Sequence, residues 1–180
     1  MLRLETDRLI LRPVELIDAA RIRLLASDYT VAAMTLTTPH PYPEGAAEAF
    51  VAQAQEQMAS GNSYTFAVIG QSEGTLVGLI GLHPTPAHHR AELGYWMGVE
   101  YRGGGYMTEA VRRVIRFGFE ELELSRIYAA CFAENAASER VMQKSGMKLE
   151  GKLRNHFMRF GNFHDGLYYG LLRDEWQEVP

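Results

Sequence analysis

The sequence contains a single cysteine, Cys131, among its 180 residues. No disulfide can form within the chain, so it does not belong to the class of small secreted proteins that disulfides hold together. No apolar run approaches the roughly 18 residues needed to span a membrane. The charged start, LRLETDRLILRP, fits neither a signal peptide nor a transit peptide. We therefore expect a cytoplasmic protein without a membrane partner.

The chain also lacks a strong charge imbalance. Its formal net charge is -4 and its pI is about 5.9, which is not the basic footprint of a protein that coats nucleic acid. Its six histidines form no His-x-x-x-His or Cys/His cluster, so we predict no metal site. There is no internal repeat and no low-complexity linker. Length and an ordinary globular composition predict one domain over residues 1–180.

Hydrophobic periodicity predicts a mixed α/β order of elements. The segment RAELGYWMGV, Arg90 to Val99, reads as a strand, and RIYAACF, Arg126 to Phe132, as a buried one. A helix lies between them, so the two strands should be parallel if they share a sheet. Other predicted strands are 8–13, 63–70, 74–83 and a final pair turning at Gly161-Asn162. Other predicted helices are 14–27, one closed by Gly61 and Asn62, and one ended by Gly146.

Three consecutive glycines precede the helix between these strands, in YRGGGYMTEAVRRVIRFGF. Glycine lets a ligand approach the backbone closely, and the free N–H groups of a first helical turn attract anions such as phosphate. Arg102 adds a cation. The stretch is neither a P-loop nor a complete dinucleotide fingerprint, because Tyr106 and Met107 follow the glycines and Thr108 stands where a third spaced glycine belongs. A plain tight turn is the alternative interpretation.

A second motif lies downstream, NAASERVMQKSGMKLEG, from Asn135 to Gly151. Together with RGGGYM it resembles the GNAT family of N-acetyltransferases, whose acyl-CoA loop runs Arg/Gln-x-x-Gly-x-Gly/Ala. The segments LETDRLILRP, AELGYWMGVEYRGGGYMTEA and GL…GLLRDEW are similar to its RimJ/RimL-like branch, and the resemblance covers nearly the whole chain. It implies the α/β GNAT fold, a mixed, mostly antiparallel central sheet of about six to seven strands flanked by about four helices.

The resemblance further implies an acetyl-CoA-dependent N-acetyltransferase working by direct attack in a ternary complex. The expected acceptor is a primary amine, either the N-terminal amine of a ribosomal protein or a small molecule such as an amino acid, polyamine or antibiotic. A non-catalytic acyl-CoA sensor is the alternative, because Met107 and Phe157 depart from the family pattern. Relatives are often dimers, so a homodimer is expected, and no nucleic-acid partner is.

The resemblance also assigns residues to acetyl-CoA. The backbone of Met97, Gly98 and Val99 would pair with the pantetheine arm as a further strand. Asn135 would hydrogen-bond the arm, and Ser138 would lie near the thioester sulfur. The residues expected to hold the pyrophosphate are Arg102, Gly103, Gly104, Gly105, Tyr106, Met107 and Thr108.

Glu92 and Ser138 are the candidate catalytic residues. Glu92 is the candidate base because it shares a strand face with Gly94 and Gly98, two small residues that would leave room above it. A structural carboxylate is the alternative. The resemblance to RimL-like enzymes makes Ser138 the candidate acid that protonates the thiolate, and its alternative role is to cap a helix start.

A second base and a cysteine nucleophile are the remaining questions about the expected chemistry. Phe157 stands where some relatives carry a glutamate base, and the adjacent His156 should point to the opposite face of a regular strand. Direct attack by an already neutral amine therefore stays open, since an N-terminal amine has a pKa of about 8. Cys131 lies in an apolar strand, so we expect a buried, unreactive thiol and no acetyl-cysteine intermediate.

Overall fold

A sheet of eight strands runs through the computed structural model, which describes residues 2–177. The strands lie in the order β1-β2-β3-β4-β5-β6-β8-β7, and every neighbouring pair is antiparallel except β5 and β6. The predicted domain limits at residues 1 and 180 lie outside the described residues. The strands are β1 (Leu4–Glu5), β2 (Leu9–Pro13), β3 (Tyr64–Gly70), β4 (Thr75–Thr85), β5 (Arg90–Met97), β6 (Arg126–Phe132), β7 (Lys148–Arg159) and β8 (Asn162–Leu172).

Five α-helices lie among the described residues: α1 (Ala19–Ala26), α2 (Tyr29–Ala33), α3 (Ala46–Ala59), α4 (Tyr106–Glu120) and α5 (Ala136–Lys144). Helix α4 packs on one face of the sheet, and α1 and α3 pack on the other. Because both faces are covered, β3 and β4 are apolar on both sides, and successive residues such as Phe66 and Ala67 enter different cores. No helix within residues 2–177 is long and apolar enough to cross a membrane.

The predicted fold class is confirmed, and the counts differ by one strand and one helix. Strand β1 has two residues and α2 has five, so neither is long enough to show a period in the sequence. Helix α2 begins after Asp28, whose carboxylate accepts the Thr30 N–H at 2.8 Å. That N-cap stabilises a single turn that its composition alone would not.

The final hairpin turns one residue earlier than predicted. Strand β7 ends at Arg159 and β8 begins at Asn162, so the two turn residues are Phe160 and Gly161. Their φ angles are 47° and 78°. Positive φ at both positions matches the twist of an antiparallel pair. The predicted turn at Gly161-Asn162 was therefore wrong by one position, because Phe160 adopts a conformation that is uncommon for its residue type.

The parallel pairing of β5 and β6 is short. Arg90, Ala91 and Glu92 pair with Arg126, Ile127 and Tyr128, and no pair follows in the described residues. Beyond Glu92, β5 continues beside β4, and β6 continues beside β8. The two strands therefore diverge. We call the gap between residues 93–97 and 129–132 the fork, and Glu92 lies at its apex.

Candidate functional site

A cleft of about 960 Å³ follows the fork and passes the N-terminus of α4. It brings together residues that are distant in the sequence. Most of the predicted site residues line it, namely Glu92, Met97, Arg102, Gly103, Gly105, Tyr106, Met107, Thr108, Asn135 and Ser138. Gly98, Val99 and Gly104 lie in the same segments but do not line the cleft.

The glycine loop has the geometry of an anion site. Gly103 and Gly105 have φ angles of 84° and 83°, which glycine adopts without the steric cost that a side chain would bring. A Cβ built on Gly103 or Gly104 would meet no atom within 4 Å, so the loop is open on its outer side. Within residues 2–177, the backbone N–H groups of Tyr106, Met107 and Thr108 have no hydrogen-bond acceptor. Free donors at a helix start attract negative charge.

The departure at Met107 does not obstruct this loop. Its side chain is 7% exposed and packs in the core beneath α4. The methionine side chain therefore fills space in the core under α4, and the outer side of the glycine loop stays open.

An ion pair from the start of the chain fixes the loop from behind. The Arg8 guanidinium donates to the Glu109 carboxylate at 2.7 Å and to the Gly104 carbonyl at 2.9 Å. The Thr6 hydroxyl donates to the same carboxylate at 2.6 Å. Burial acts to raise the pKa of Glu109, but these hydrogen bonds and the Arg8 charge outweigh it and lower that pKa. No local motif in the sequence links residue 8 to residue 109, so only the sheet's topology reveals this support.

The backbone expected to pair with a pantetheine arm is only partly free. The Gly98 N–H donates to Val77 O at 2.9 Å, on the β4 side. The Arg102 side chain donates to Met97 O at 3.2 Å, on the approach to the fork. A strand-like ligand in the fork would therefore share Met97 O with Arg102 and receive no bond from the Gly98 N–H.

The capping role that the sequence left open for Ser138 belongs to Asn135. The Asn135 side-chain oxygen accepts the Ser138 N–H at 3.1 Å, so Asn135 is the N-cap of α5. The Ser138 hydroxyl is free of capping and lies 2.9 Å from the Tyr95 hydroxyl. Tyr95 also donates to Ser138 O at 3.1 Å, and burial raises the pKa of Tyr95 well above its ordinary value. Cys131 is 8% exposed, and burial raises the pKa of its thiol to about 11, as expected of an unreactive thiol.

Glu92 is exposed in the cleft at the apex of the fork. The Tyr128 hydroxyl donates to its carboxylate at 3.4 Å, a long contact that leaves the carboxylate accessible. Gly94 leaves open space beside it, since a Cβ there would meet only His83 Nε2, at 3.9 Å. Gly98 does not, because a Cβ there would lie 3.0 Å from Leu25. The expectation that both glycines leave room above this face was therefore wrong for Gly98, where close packing against α1 explains the glycine.

His83 is a cleft residue that the sequence reasoning missed. It lies directly across the β4–β5 pair from Glu92, on the same face. Its Nδ1 is 2.8 Å from the Ser63 hydroxyl, and its Nε2 would lie 2.9 Å from a Cβ on Gly81. The available signal was the spacing Gly81-x-His83, which places a bare position and an imidazole on one strand face.

The expectation that His156 points away from the face of Phe157 was wrong. Three residues of β7, 154–156, face one residue of β8 between the pairs Leu153–Gly166 and Phe157–His164. This bulge breaks the alternation of faces. His156 Nε2 therefore lies 2.8 Å from the Tyr168 hydroxyl, while the Phe157 ring stacks on the same tyrosine. Phe157 lines the cleft.

The loop after α2 forms the far wall of the cleft and is tied to the final hairpin. Arg159 donates to Ala32 O at 2.9 Å and to Leu36 O at 3.1 Å, and it also contacts Thr38 O. Leu36 and Thr38 line the cleft. One side chain on β7 thus fixes the position of this wall.

Two exposed cations on α5, Arg140 and Lys144, line the cleft beside the α4 N-terminus. The arginines on α4 are directed elsewhere. Arg112 donates to Lys144 O at 2.7 Å, and Arg113 lies 3.9 Å from Glu121. The described residues bring together no group of three His, Cys, Asp or Glu side chains that could hold a metal ion.

Comparison with known proteins gives four consistent findings. The acetyltransferase (GNAT) domain family matches residues 8–148. The chain is 33% identical to an uncharacterized N-acetyltransferase, YnaD, of Bacillus subtilis, covering 95% of this chain and 97% of that protein. It is 26% identical to the [ribosomal protein uS5]-alanine N-acetyltransferase of Escherichia coli, covering 97% and 92%. A GNAT-family acetyltransferase structure from Bacillus anthracis superposes with a TM-score of 0.82 at 29% identity, covering 96% and 99%.

Proposed function

This chain belongs to the GNAT family of acetyltransferases, and on that premise we propose that it moves an acetyl group from acetyl-CoA to the N-terminal amine of a protein. The observation that carries the proposal is the fork between β5 and β6, open along its length and ending at the α4 N-terminus. It offers a slot for an extended arm, an anion site at one end and a carboxylate at the other. Acetyl-CoA has the matching parts in the matching order.

The residues present fit the phosphates of acetyl-CoA. The free N–H groups of Tyr106 to Thr108 would hold the pyrophosphate, because a helix start with open glycines before it binds anions. Arg102, Arg140 and Lys144 would add positive charge along the cleft. Two arginines of α4 are bound elsewhere, Arg112 to Lys144 O and Arg116 to Glu120.

When bound, acetyl-CoA supplies an activated thioester carbon. The chain's own groups would handle the protons on its two sides. Glu92 at the fork apex would hold the positively charged amine close to that carbon. Ser138 would donate to the departing sulfur, and the Tyr95 hydroxyl at 2.9 Å would orient it. Cys131 lines the cleft, but its thiol has a raised pKa, and this scheme gives it no role: the amine attacks the thioester directly in a ternary complex.

The lining of the cleft supports an acceptor with one amine. Among the described residues that line it, Glu92 is the only carboxylate. A polyamine carries further ammonium groups, which would lie in the cleft without a counter-charge. Beyond Glu92, the wall is made of small hydroxyl and apolar groups, including Thr37, Pro39 and Phe50. Such a wall suits the first residues of a peptide, and one relative is named as the N-acetyltransferase of an alanine in ribosomal protein uS5. A small monoamine is the second candidate.

The test begins with isothermal titration of acetyl-CoA, followed by CoA release with a panel of amines. We expect micromolar binding and turnover of peptides with a free N-terminal alanine or serine. The same peptides with a formylated N-terminus and an internal lysine are the control and should not react. Spermidine and free amino acids complete the panel. Binding without turnover of any amine would contradict the enzyme, and turnover of small amines alone would move the proposal to the second candidate. Cytoplasmic location and a homodimer stay predictions.

A further inference from the structure

His83 is the imidazole that faces the fork apex, and neither the family motifs nor the catalytic pair Glu92 and Ser138 accounts for it. Its ring folds back over the bare backbone of Gly81, which pairs across the strands with Gly94. A Cβ on Gly81 would lie 2.9 Å from Nε2, and a Cβ on Gly94 would lie 3.9 Å from it. The two glycines therefore form a floor on which one ring nitrogen is exposed to the cleft.

The other ring nitrogen of His83 has a hydrogen-bond partner. Nδ1 is 2.8 Å from the hydroxyl of Ser63, at the start of β3. When Nδ1–H donates to this hydroxyl, Nε2 carries the free lone pair and can accept a proton. A hydrogen bond at one nitrogen that sets the state of the other is the usual arrangement of a working imidazole.

We infer that His83 Nε2 is the general base for the acceptor amine, and that Glu92 holds the amine's positive charge beside it. In this step an N–H bond of the ammonium breaks and an Nε2–H bond forms. The amine nitrogen then bonds to the acetyl carbon and loses its second proton to water, while the carbon–sulfur bond breaks. The departing thiolate takes a proton from the Ser138 hydroxyl, which regains one from water. The imidazolium afterwards loses its proton to water. The inference rests on the proposed function.

The electrostatics agree with this assignment. Partial desolvation lowers the pKa of His83, which is still exposed to the cleft, while the nearby charge of Glu92, across the strand pair, acts to raise it. Among the described residues, Glu92 on β5 is the charged group that acts on the His83 ring. Ser63, at the start of β3, contributes an uncharged hydroxyl. The ring is therefore neutral and able to accept a proton at pH 7. An imidazole has an ordinary pKa nearer to neutrality than a carboxylate, which suits general-base catalysis.

The experiment compares two acceptors of the same shape that differ in amine pKa. The first is the best wild-type substrate, and the second carries electron-withdrawing fluorines beside the amine, so that it is neutral at pH 7. A positioned base typically contributes about 10²- to 10⁴-fold. We expect His83→Gln to lower kcat/KM for the first acceptor by about a hundredfold, and to leave the fluorinated one nearly unaffected because it needs no base.

Gly81→Ala is the second variant, since it keeps the imidazole and displaces Nε2. It should reproduce the selective loss. His88→Gln, at an exposed position in the short turn before β5, is the control and should behave as wild type. The affinity for acetyl-CoA, measured alongside, should be equal in all four proteins.

The outcomes separate the two proposals. Equal losses for both acceptors would show a structural role for His83 and overturn the inference, leaving the acetyltransferase intact. Full activity of His83→Gln on both acceptors would overturn it as well. A wild-type protein that binds acetyl-CoA and acetylates neither amine would overturn the proposed function, and the inference with it.

Discussion

Replacing Gly104 by alanine should separate the affinity for acetyl-CoA from the stability of the fold. Gly104 is exposed, its φ lies outside the left-handed region, and an added Cβ would meet no atom within 4 Å. The free protein can therefore accept the methyl group without strain. Its free energy of unfolding should stay unchanged or rise by up to about 1 kcal/mol, because alanine restricts the unfolded chain.

The bound state has no such freedom. Gly104 does not line the cleft itself, but it lies between Gly103 and Gly105, which do, so a pyrophosphate bound across the loop would meet the added methyl group. One charge-assisted hydrogen bond is worth about 1.5–3 kcal/mol. Since about 1.4 kcal/mol corresponds to a factor of ten, the Kd for acetyl-CoA should rise roughly ten- to a hundredfold.

Isothermal titration and urea unfolding together test this prediction. Gly151→Ala is the matched control, because Gly151 also lies outside the left-handed region with nothing within 4 Å, but on β7. It should leave the Kd unchanged. Gly103→Ala should instead lower the free energy of unfolding by about 1–2 kcal/mol, because Gly103 has a φ of 84° that alanine adopts only with strain. Wild-type affinity in Gly104→Ala would refute the placement of the pyrophosphate on this loop.

Substitutions at three further residues test the surroundings of the cleft. Asn135→Ala should lower the free energy of unfolding by about 1 kcal/mol through loss of the α5 cap, and Asn135→Asp should retain it, as urea titration can show. Arg159→Ala should free the wall at residues 32–38, raising KM for the acceptor while the Kd for acetyl-CoA stays constant; equal changes in both would contradict the assignment of that wall to the acceptor. Glu109 has a lowered pKa in the folded state, so the stability from its contacts with Thr6 and Arg8 is present above its ordinary pKa of about 4.3 and is lost as the pH falls through the folded value. Thermal melts of Glu109→Gln should therefore depend less on pH below about 5 than those of wild type.

The glycine loop and the helix after it could be predicted because their signals are local. Two strands, the glycine cluster and the apolar stripe of the helix between the strands all lie within 43 consecutive residues, 90–132. The parallel pairing of β5 and β6 follows from the crossover between them. The length of that pairing does not, because the point where two strands diverge depends on how each pairs with its other neighbour. The fork itself therefore could not be predicted from the sequence pattern.

The parts that sequence reasoning missed depend on register. His83 becomes a cleft residue only because β4 pairs with β5 so that it faces Glu92. His156 reaches the face of Phe157 only because three residues of β7 face one of β8. A shift of one residue in either pairing would reverse the assignment that depends on it. Register is set by turns and by both cores together, which no single segment reveals.

The fork also explains how one site can handle two protons moving in opposite directions. Glu92 and His83 lie on the sheet face that carries α1 and α3, whereas Tyr95 points to the face of α4 and meets Ser138 there. A thioester extended in the plane of the sheet would have the amine on one side and the proton donor for its sulfur on the other. The group that accepts a proton and the group that donates one are thus separated by the substrate, so they cannot neutralise each other. A closed sheet, with β5 and β6 paired along their full length, would leave no path between the two faces.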